Sequence, residues 1–330
     1  MRFAAGLCLL VLVAGCGGSD EPPRKDSRLA GPPRLFFAAG EGGGSWDVYV
    51  EDVNSGERTN LTKTPATAAS DADDRSPVLS PDGTRIAYTS TAGHASDGAL
   101  DEEIFVMASD GSMPRRLTKD DDVDVGPQWT PAGRIFFTNC RSEFGAVPGC
   151  GIDLIWPNGT GRRTVIANIG LASGVAISPQ GDRIAYAGLD EMLQPTGLFV
   201  RELASAQEER IGDGGAPSWS PDGERLAFLS GRDQNGGCLF GECKGHASEL
   251  YVVDADGSDE RRLTETTANE AFAAWTPDGE WILFSRIAAE GDDYDVFAVR
   301  EDGSCEVQLT DTKAWEWSAT WIGATDSLSC

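Results

Sequence analysis

Short apolar runs alternate with tight polar turns along most of the chain, and one turn keeps returning. Pro81-Asp82-Gly83 lies between Val78-Leu79 and Ile86-Ala87-Tyr88. Pro221-Asp222-Gly223 lies between Ser218-Trp219 and Leu226-Ala227-Phe228, and Pro277-Asp278-Gly279 between Ala274-Trp275 and Ile282-Leu283-Phe284. Looser copies are Pro131-Ala132-Gly133 before Ile135-Phe136-Phe137, and Pro179-Gln180-Gly181 before Ile184-Ala185-Tyr186. Proline presets the backbone for a turn, aspartate bonds the turn amides, and glycine takes the positive φ that follows. Each copy therefore predicts an antiparallel hairpin. A second hairpin follows most copies: Ile104 to Met107 with Arg116-Leu117-Thr118, Leu250 to Val253 with Arg262-Leu263-Thr264, and Asp295 to Val299 with Gln308-Leu309-Thr310, each around an Asp-Gly-Ser turn. One repeat is thus four strands, and a period of roughly 40 to 55 residues is that of a propeller blade.

The first repeat is incomplete. Arg34 to Ala39, Asp47 to Val50 and Thr59 to Thr62 supply only three strands, whereas Trp317 to Ile322 matches the innermost-strand pattern and has no hairpin partner after it. Pairing the last strand with the first closes the ring and removes two open sheet edges. Innermost strands at 77–80, 127–130, 175–178, 217–220, 273–276 and 318–321 then give an all-β, six-bladed β-propeller with four-stranded antiparallel blades. The expected blades are residues 34–75 with 317–323, 76–125, 126–173, 174–215, 216–270 and 271–316. Trp129, Trp219, Trp275 and Trp321 share one repeat position and are expected to pack between blades.

The run Pro-x-Trp-Ser-Pro-Asp-Gly-x-x-Leu-Ala-Phe, then Leu-Tyr-Val with Asp-Gly, then Leu-Thr, resembles the WD40-like repeat of the TolB C-terminal propeller, over about residues 34–323. The resemblance speaks to architecture more than activity. It implies that the innermost strand runs from a top face to a bottom face. The loops 90–103, 138–152, 187–197, 230–249 and 285–294 would then gather on top, where loops on a rigid scaffold usually bind. In TolB the propeller docks the peptidoglycan-associated lipoprotein, so the resemblance implies an envelope protein or peptide as partner. The residues before blade 1 are too few for the N-terminal α/β domain of TolB, so roles of that domain, such as contact with TolA, are not carried over.

The amino terminus changes the picture of location. Arg2 and the apolar run Phe3 to Val13 form a signal segment too short to span a bilayer. Leu12-Val13-Ala14-Gly15-Cys16 resembles a bacterial lipobox. That resemblance implies cleavage after residue 15, a lipidated Cys16 as the only bilayer contact, and a flexible tether over 16–33. Export would place the protein on the outer side of the cytoplasmic membrane, in the periplasm or at the outer membrane. Six further cysteines suit disulfides in that compartment. Loop proximity suggests Cys140 with Cys150, Cys238 with Cys243 and Cys305 with Cys330, although six cysteines allow fifteen connectivities. A metal cluster competes, but no pair has zinc-knuckle spacing.

The net charge of −26 excludes a nucleic-acid footprint, which needs a basic face, and favours cations or basic partners. Three residues before the proline position stand Asp74, Asp124, Glu270 and Glu316, with Asp213 displaced by one. Such carboxylates at the channel mouth could hold Ca²⁺ or a basic peptide. The alternative is that they bond amides of the interblade loops. His94 and His246 lie in the similar tetrapeptides Gly-His-Ala-Ser of opposite blades, too far apart to share a metal. Neither Asp120-Asp121-Asp122 nor Asp71 to Asp74 has full calcium-loop spacing. No nucleophile elbow, His-Glu-x-x-His or phosphate loop is present. We therefore expect a monomeric, non-catalytic lipoprotein whose propeller binds an envelope protein or ligand, without a required cofactor. The alternatives are a carbohydrate-active or peptidase-related enzyme with an unrecognised tunnel site, and a purely structural envelope component.

Overall fold

In the computed structural model the described residues are 31–41, 45–62, 72–92, 102–140, 149–169, 172–189, 195–233, 238–239, 242–243, 248–287 and 293–330. Cys16, both histidines and most of the long top loops fall outside them. Each Pro-x-Gly turn closes a hairpin. In blade 2, Gly83 takes φ 68° and donates its amide to the Ser80 carbonyl at 2.8 Å. Asp82 Oδ1 accepts the Thr84 amide at 3.1 Å, and Ser80 Oγ accepts the Arg85 amide at 3.0 Å. The same Ser/Thr-Pro-Asp-Gly chemistry recurs at Ser220–Arg225 and Thr276–Trp281.

The hairpins assemble into six four-stranded antiparallel sheets. From inside outwards, blade 2 is Asp74–Leu79, Arg85–Ser90, Glu103–Ala108 and Arg115–Arg116. Blade 3 is Val123–Trp129, Ile135–Cys140, Cys150–Ile155 and Arg163–Ile166. Blades 4, 5 and 6 begin with Ala172–Ile177, Gly215–Trp219 and Glu270–Trp275. Blade 1 combines Ala314–Ile322 with Arg34–Glu41, Trp46–Asp52 and Glu57–Asn60, so the last strand of the chain pairs with the first. Its register runs from Arg34 opposite Ile322 to Glu41 opposite Ala314. The six innermost strands touch one another in a closed cycle. In the loop of blade 5, Cys238–Leu239 and Glu242–Cys243 form a small extra hairpin.

Both faces of a blade are buried between neighbours, which explains consecutive apolar residues such as Leu226-Ala227-Phe228 where a half-exposed strand would alternate. Leu226 and Phe228 pack toward blade 4, and Ala227 packs toward blade 6. One apolar cluster fills each of the six blade interfaces. The tryptophans of the repeat add a polar tie. Trp129, Trp219 and Trp275 donate Nε1–H to the carbonyls of Val78, Ala176 and Ser218 on the preceding blade, at 3.0, 3.2 and 3.1 Å.

The closing strand is latched below. Cys305 in the last turn of blade 6 is bonded to Cys330. Leu328 is buried in the cluster between blades 6 and 1, and Thr325 Oγ1 donates to Asp278 Oδ2 at 2.6 Å. Cys140 and Cys150, facing each other across a hairpin of blade 3, form a second disulfide.

The innermost strands begin earlier than the proline-based expectation. They start at 74, 123, 172, 215, 270 and 314, whereas the expected blade starts were 76, 126, 174, 216, 271 and 317. The cause is a bulge that all six share. Ser76, Gly126, Gly174, Ala216, Phe272 and Ser318 adopt positive φ, and the ladder register shifts beside each. The extra residue re-aims the strand without ending it, and it accommodates Pro77, Pro127 and Pro217, which cannot donate to a ladder.

Candidate functional site

The bulge moves the acidic set from the channel mouth into the strands. Asp74, Asp124, Glu270 and Glu316 each stand two residues before the left-handed residue of their strand, and all four are buried. They do not converge on a shared ligand position. Each joins its own blade to the one before through the Leu-Thr dipeptide. Thr62, Thr118, Thr264 and Thr310 accept the amides of Val48, Ile104, Leu250 and Val296 at 2.8 to 3.1 Å. Each of these threonine side chains is also hydrogen-bonded to the acid of the next blade. Where the next innermost strand lacks the acid, as at Gly214, glycine (Gly212) stands at the threonine position. The partners of these four carboxylates are mainly threonine, arginine and asparagine side chains at the blade junctions rather than loop amides. Asp213, also expected at the mouth, is exposed and paired with Arg210.

Arginines complete the junctions. Glu270 accepts Arg286 Nη2 at 2.6 Å and Nε at 3.0 Å. Glu316 accepts Arg58 at 2.6 Å, and Asp124 accepts Asn139 at 2.6 Å and Arg162 at 3.3 Å. Burial pushes Asp74 up to about 6 against hydrogen bonds from Ser90 and Thr62. It pushes Asp124 to about 7 against Asn139 and Arg162, Glu270 to about 7 against Arg286 and Thr264, and Glu316 upward as well.

A second acid recurs near the start of the third strand and is held from the fourth. Asn60 donates to Asp47 at 2.8 Å, Arg116 to Glu103 at 2.5 Å and Gln308 to Asp295 at 3.1 Å, while Arg262 pairs with Glu249 at 3.0 Å. Much of the acidity thus builds the ring. The carboxylate oxygens of Glu103, Asp120 and Asp124 lie within 4.8 Å of one another. Arg116 holds Glu103, and Arg162 holds both Asp120 and Asp124. These three carboxylates are thus already matched by two guanidinium groups.

The channel opens differently at its two ends. The lower end, beside the Pro-x-Gly turns, is a cavity of about 460 Å³ lined by five of the turn prolines and by the repeat tryptophans. The upper end holds an off-centre cavity of about 430 Å³. Its walls are Trp46, Trp315, Trp317 and Phe272, with Arg75, Thr89 and Glu102 among the polar groups. The rings pack edge to face and tilted: Trp46 on Trp317 at 5.6 Å, Phe272 on Trp317 at 4.8 Å, and Tyr294 against Trp315 and Trp317 at 5.9 and 5.3 Å. Gly40 pairs across the sheet with both Trp46 and Trp315. A Cβ there would lie 3.2 Å from Cδ2 of Trp46, so the glycine lets that ring settle over the backbone. Arg75 lies over Trp46, 5.4 Å from the ring centre, and pairs with Asp73 at 2.7 Å. Trp315 remains 39% exposed, so the aromatic wall meets solvent.

The sequence pointed to the channel mouth through its carboxylates and did not single out these aromatic residues. Their signal was available: Trp46, Trp315 and Trp317 stand outside the repeat position that explains Trp129, Trp219, Trp275 and Trp321. Of the expected disulfides, two are formed. The backbone sets Cys238 opposite Cys243, and the side chains of that pair lie outside the described residues.

The family model described as PD40, TolB beta propeller domain, matches residues 158–328. Among curated proteins, the uncharacterised peptidase YuxL of Bacillus subtilis is 37% identical over 79 residues, covering 24% of this chain and 10% of YuxL. The Tol-Pal system protein TolB of Alcanivorax borkumensis is 40% identical over 60 residues, covering 17% of this chain and 14% of that protein. The matched stretch therefore spans about a seventh or less of either relative. Among solved structures, TolB from Acinetobacter baumannii superposes with a TM-score of 0.66 at 15% identity, over 88% of this chain and 67% of that one. At that identity the likeness concerns the fold.

Proposed function

The chain belongs to the TolB β-propeller family, and from that premise we propose that it is a non-catalytic scaffold that captures an envelope protein at the upper channel mouth. The observation that carries this reading is the solvent-facing aromatic wall of Trp46, Trp315 and Trp317 at one mouth of a rigid ring. Exposed aromatic clusters on otherwise well-packed proteins mark interaction sites. The long loops between second and third strands depart from the same end. A relative bearing the name Tol-Pal system protein TolB agrees with a protein partner. Lipidation at Cys16 would hold the ring at a membrane surface outside the cytoplasm, with residues 17–33 as the tether.

The test is affinity capture from crosslinked cells with the full chain and with Trp315→Ala. Capture by the wild type, reduced at least about fivefold in the variant while folding is retained, is expected for loss of one interface anchor of more than 1 kcal/mol. Equal capture by both would remove the mouth from the account. Charge reversal at Asp74, Asp124 or Glu316 is unsuitable for this purpose, because those groups hold blades together.

A further inference from the structure

The lower rim of blades 2 and 3 departs from the rest of that face in exposure and in charge. Among the described residues three large hydrophobic side chains are exposed: Met113 at 79%, Trp156 at 41%, and Trp315 at the upper mouth. Met113 and Trp156 stand in the turns between the third and fourth strands of blades 2 and 3, at the lower end. The second turn packs on the first blade: a Cβ on Gly159 would lie 3.7 Å from Nη2 of Arg115 and 3.8 Å from the Leu117 carbonyl oxygen. The turn itself does not ask for methionine. Met113 takes φ 54°, and Asp259 takes φ 51° at the same place in blade 5, a conformation that suits aspartate better. Blades 5 and 6 carry an aspartate in each lower turn, Asp222 with Asp256 and Asp278 with Asp302, whereas blade 3 has Ala132 and Asn158. Arginines surround Trp156 instead. Arg115 and Arg163 are exposed, and Arg134 lies over the indole, 4.8 Å from the ring centre. Asp110, which accepts the Ser112 amide at 2.9 Å, is the one carboxylate of these two outer turns.

We propose that this rim is a contact surface for anionic phospholipid, which seats the ring on the bilayer with its upper mouth facing away. The proposal rests on the lipid anchor read at Cys16 and adds a second contact to it. Arginines around apolar tips would suit an acidic protein segment equally, so the face decides the occupant. Arg34 pairs with Ile322, and a Cβ on Gly83 would meet Cδ1 of Ile322 at 2.9 Å. The chain therefore enters the ring at the lower end, beside the Pro-Asp-Gly turn of blade 2. A tether from Cys16 to Gly31, in the flexible form read from its composition, spans about 20 Å on average. An anchored ring is thus held with its lower face toward the bilayer. There tryptophan settles at headgroup level, and arginines meet phosphates while their stems lie on apolar surface. The net charge of −26 does not oppose this contact, because screening limits each charge to about 8 Å. Blades 5 and 6, with their aspartates, lie across the ring from blades 2 and 3, so a tilt onto the rim lifts them clear. The anchor supplies the affinity, and the rim sets the orientation.

The mature lipidated chain, with a photoreactive residue at Met113 or at the equivalent Asp259, is reconstituted on vesicles of equal phosphatidylglycerol and phosphatidylcholine, and on phosphatidylcholine alone. Flotation reads the anchor, and mass spectrometry reads lipid adducts. On the anionic vesicles position 113 is expected to give at least about fivefold more lipid adduct than position 259, the difference one arginine makes at an anionic surface. Arg163→Gln and Trp156→Ala should each lower that excess several-fold with the fold retained by circular dichroism, and phosphatidylcholine alone should lower it further. Trp315→Ala should leave it unchanged, which separates the rim from protein capture at the upper mouth. Three results would overturn the rim and leave the anchor standing: no more adduct at 113 than at 259, an excess that survives both Arg163→Gln and Trp156→Ala, or an acidic protein in place of lipid on position 113 in cells. A chain that does not float, with Cys16 unmodified by mass, would overturn anchor and rim together.

Discussion

Replacing Glu270 by alanine separates a structural acid from a ligand-binding one. Glu270 is 2% exposed. It accepts two bonds from Arg286 and one from Thr264, at 2.6 to 3.0 Å. Removing it leaves Arg286, itself 8% exposed, with Glu306 as its other carboxylate. It also takes an acceptor from the threonine that joins blades 5 and 6. Breaking one side of such a buried pair costs about 3–5 kcal/mol, a substantial share of a stability on the order of 5–15 kcal/mol. For a ring of this size that amounts to roughly 5–8 °C in melting temperature. Differential scanning calorimetry on Glu270→Ala, Arg286→Ala and the double variant measures it. The double variant should lose clearly less than the sum of the singles, because the partners are in contact. Asp213→Ala, at an exposed pair, should move stability by less than about 0.5 kcal/mol. A Glu270→Ala protein as stable as the wild type, or strict additivity with Arg286→Ala, would refute the view that these carboxylates hold the blades together.

Two further outcomes follow from the same network and its latch. Asp74, Asp124 and Glu270 have folded-state values raised to about 6, 7 and 7 by burial. The stability they contribute is fully present below the unfolded values and is lost as pH rises through the folded ones. Chemical denaturation should therefore show this contribution falling between about pH 4 and 7, and Asp74→Asn should flatten part of that slope; an unchanged slope in Asp74→Asn would contradict the assignment. Cys305→Ser opens a loop with a sequence separation of 25, which by chain entropy costs about 3.5 kcal/mol. The unfolding midpoint of the variant should fall, and that of the reduced wild type, which also loses Cys140–Cys150, at least as far; an unchanged midpoint in the variant would mean that the tail is not a latch.

The ring was readable because its code is local and repeated. Pro-Asp-Gly sets a hairpin through its own backbone preferences, Leu-Thr ends a blade, and the unpartnered Trp317–Ile322 segment implied closure onto Arg34–Ala39. The acids were misplaced because their position depends on a bulge that the sequence barely marks. Gly126 and Gly174 suit positive φ, but Ser76, Ala216, Phe272 and Ser318 adopt it without a compositional sign. Reading the proline as the strand start therefore put Asp74 and its equivalents outside the sheet. The aromatic mouth was hidden for another reason. Trp46 comes from the second full strand of the chain, Phe272 and Tyr294 from blade 6, and Trp315 and Trp317 from the last strand. Only ring closure brings these residues together, and no spacing rule joins positions so far apart.

Site-specific photocrosslinking in cells addresses the working surface most directly. A photoreactive residue is placed at Lys313, exposed beside the upper mouth, or at Glu224, in a Pro-Asp-Gly turn on the opposite face, in otherwise unchanged full-length protein that keeps Trp315. The account predicts a discrete protein adduct from position 313 and none from position 224. An adduct from 224 alone, or no adduct from 313, would contradict it.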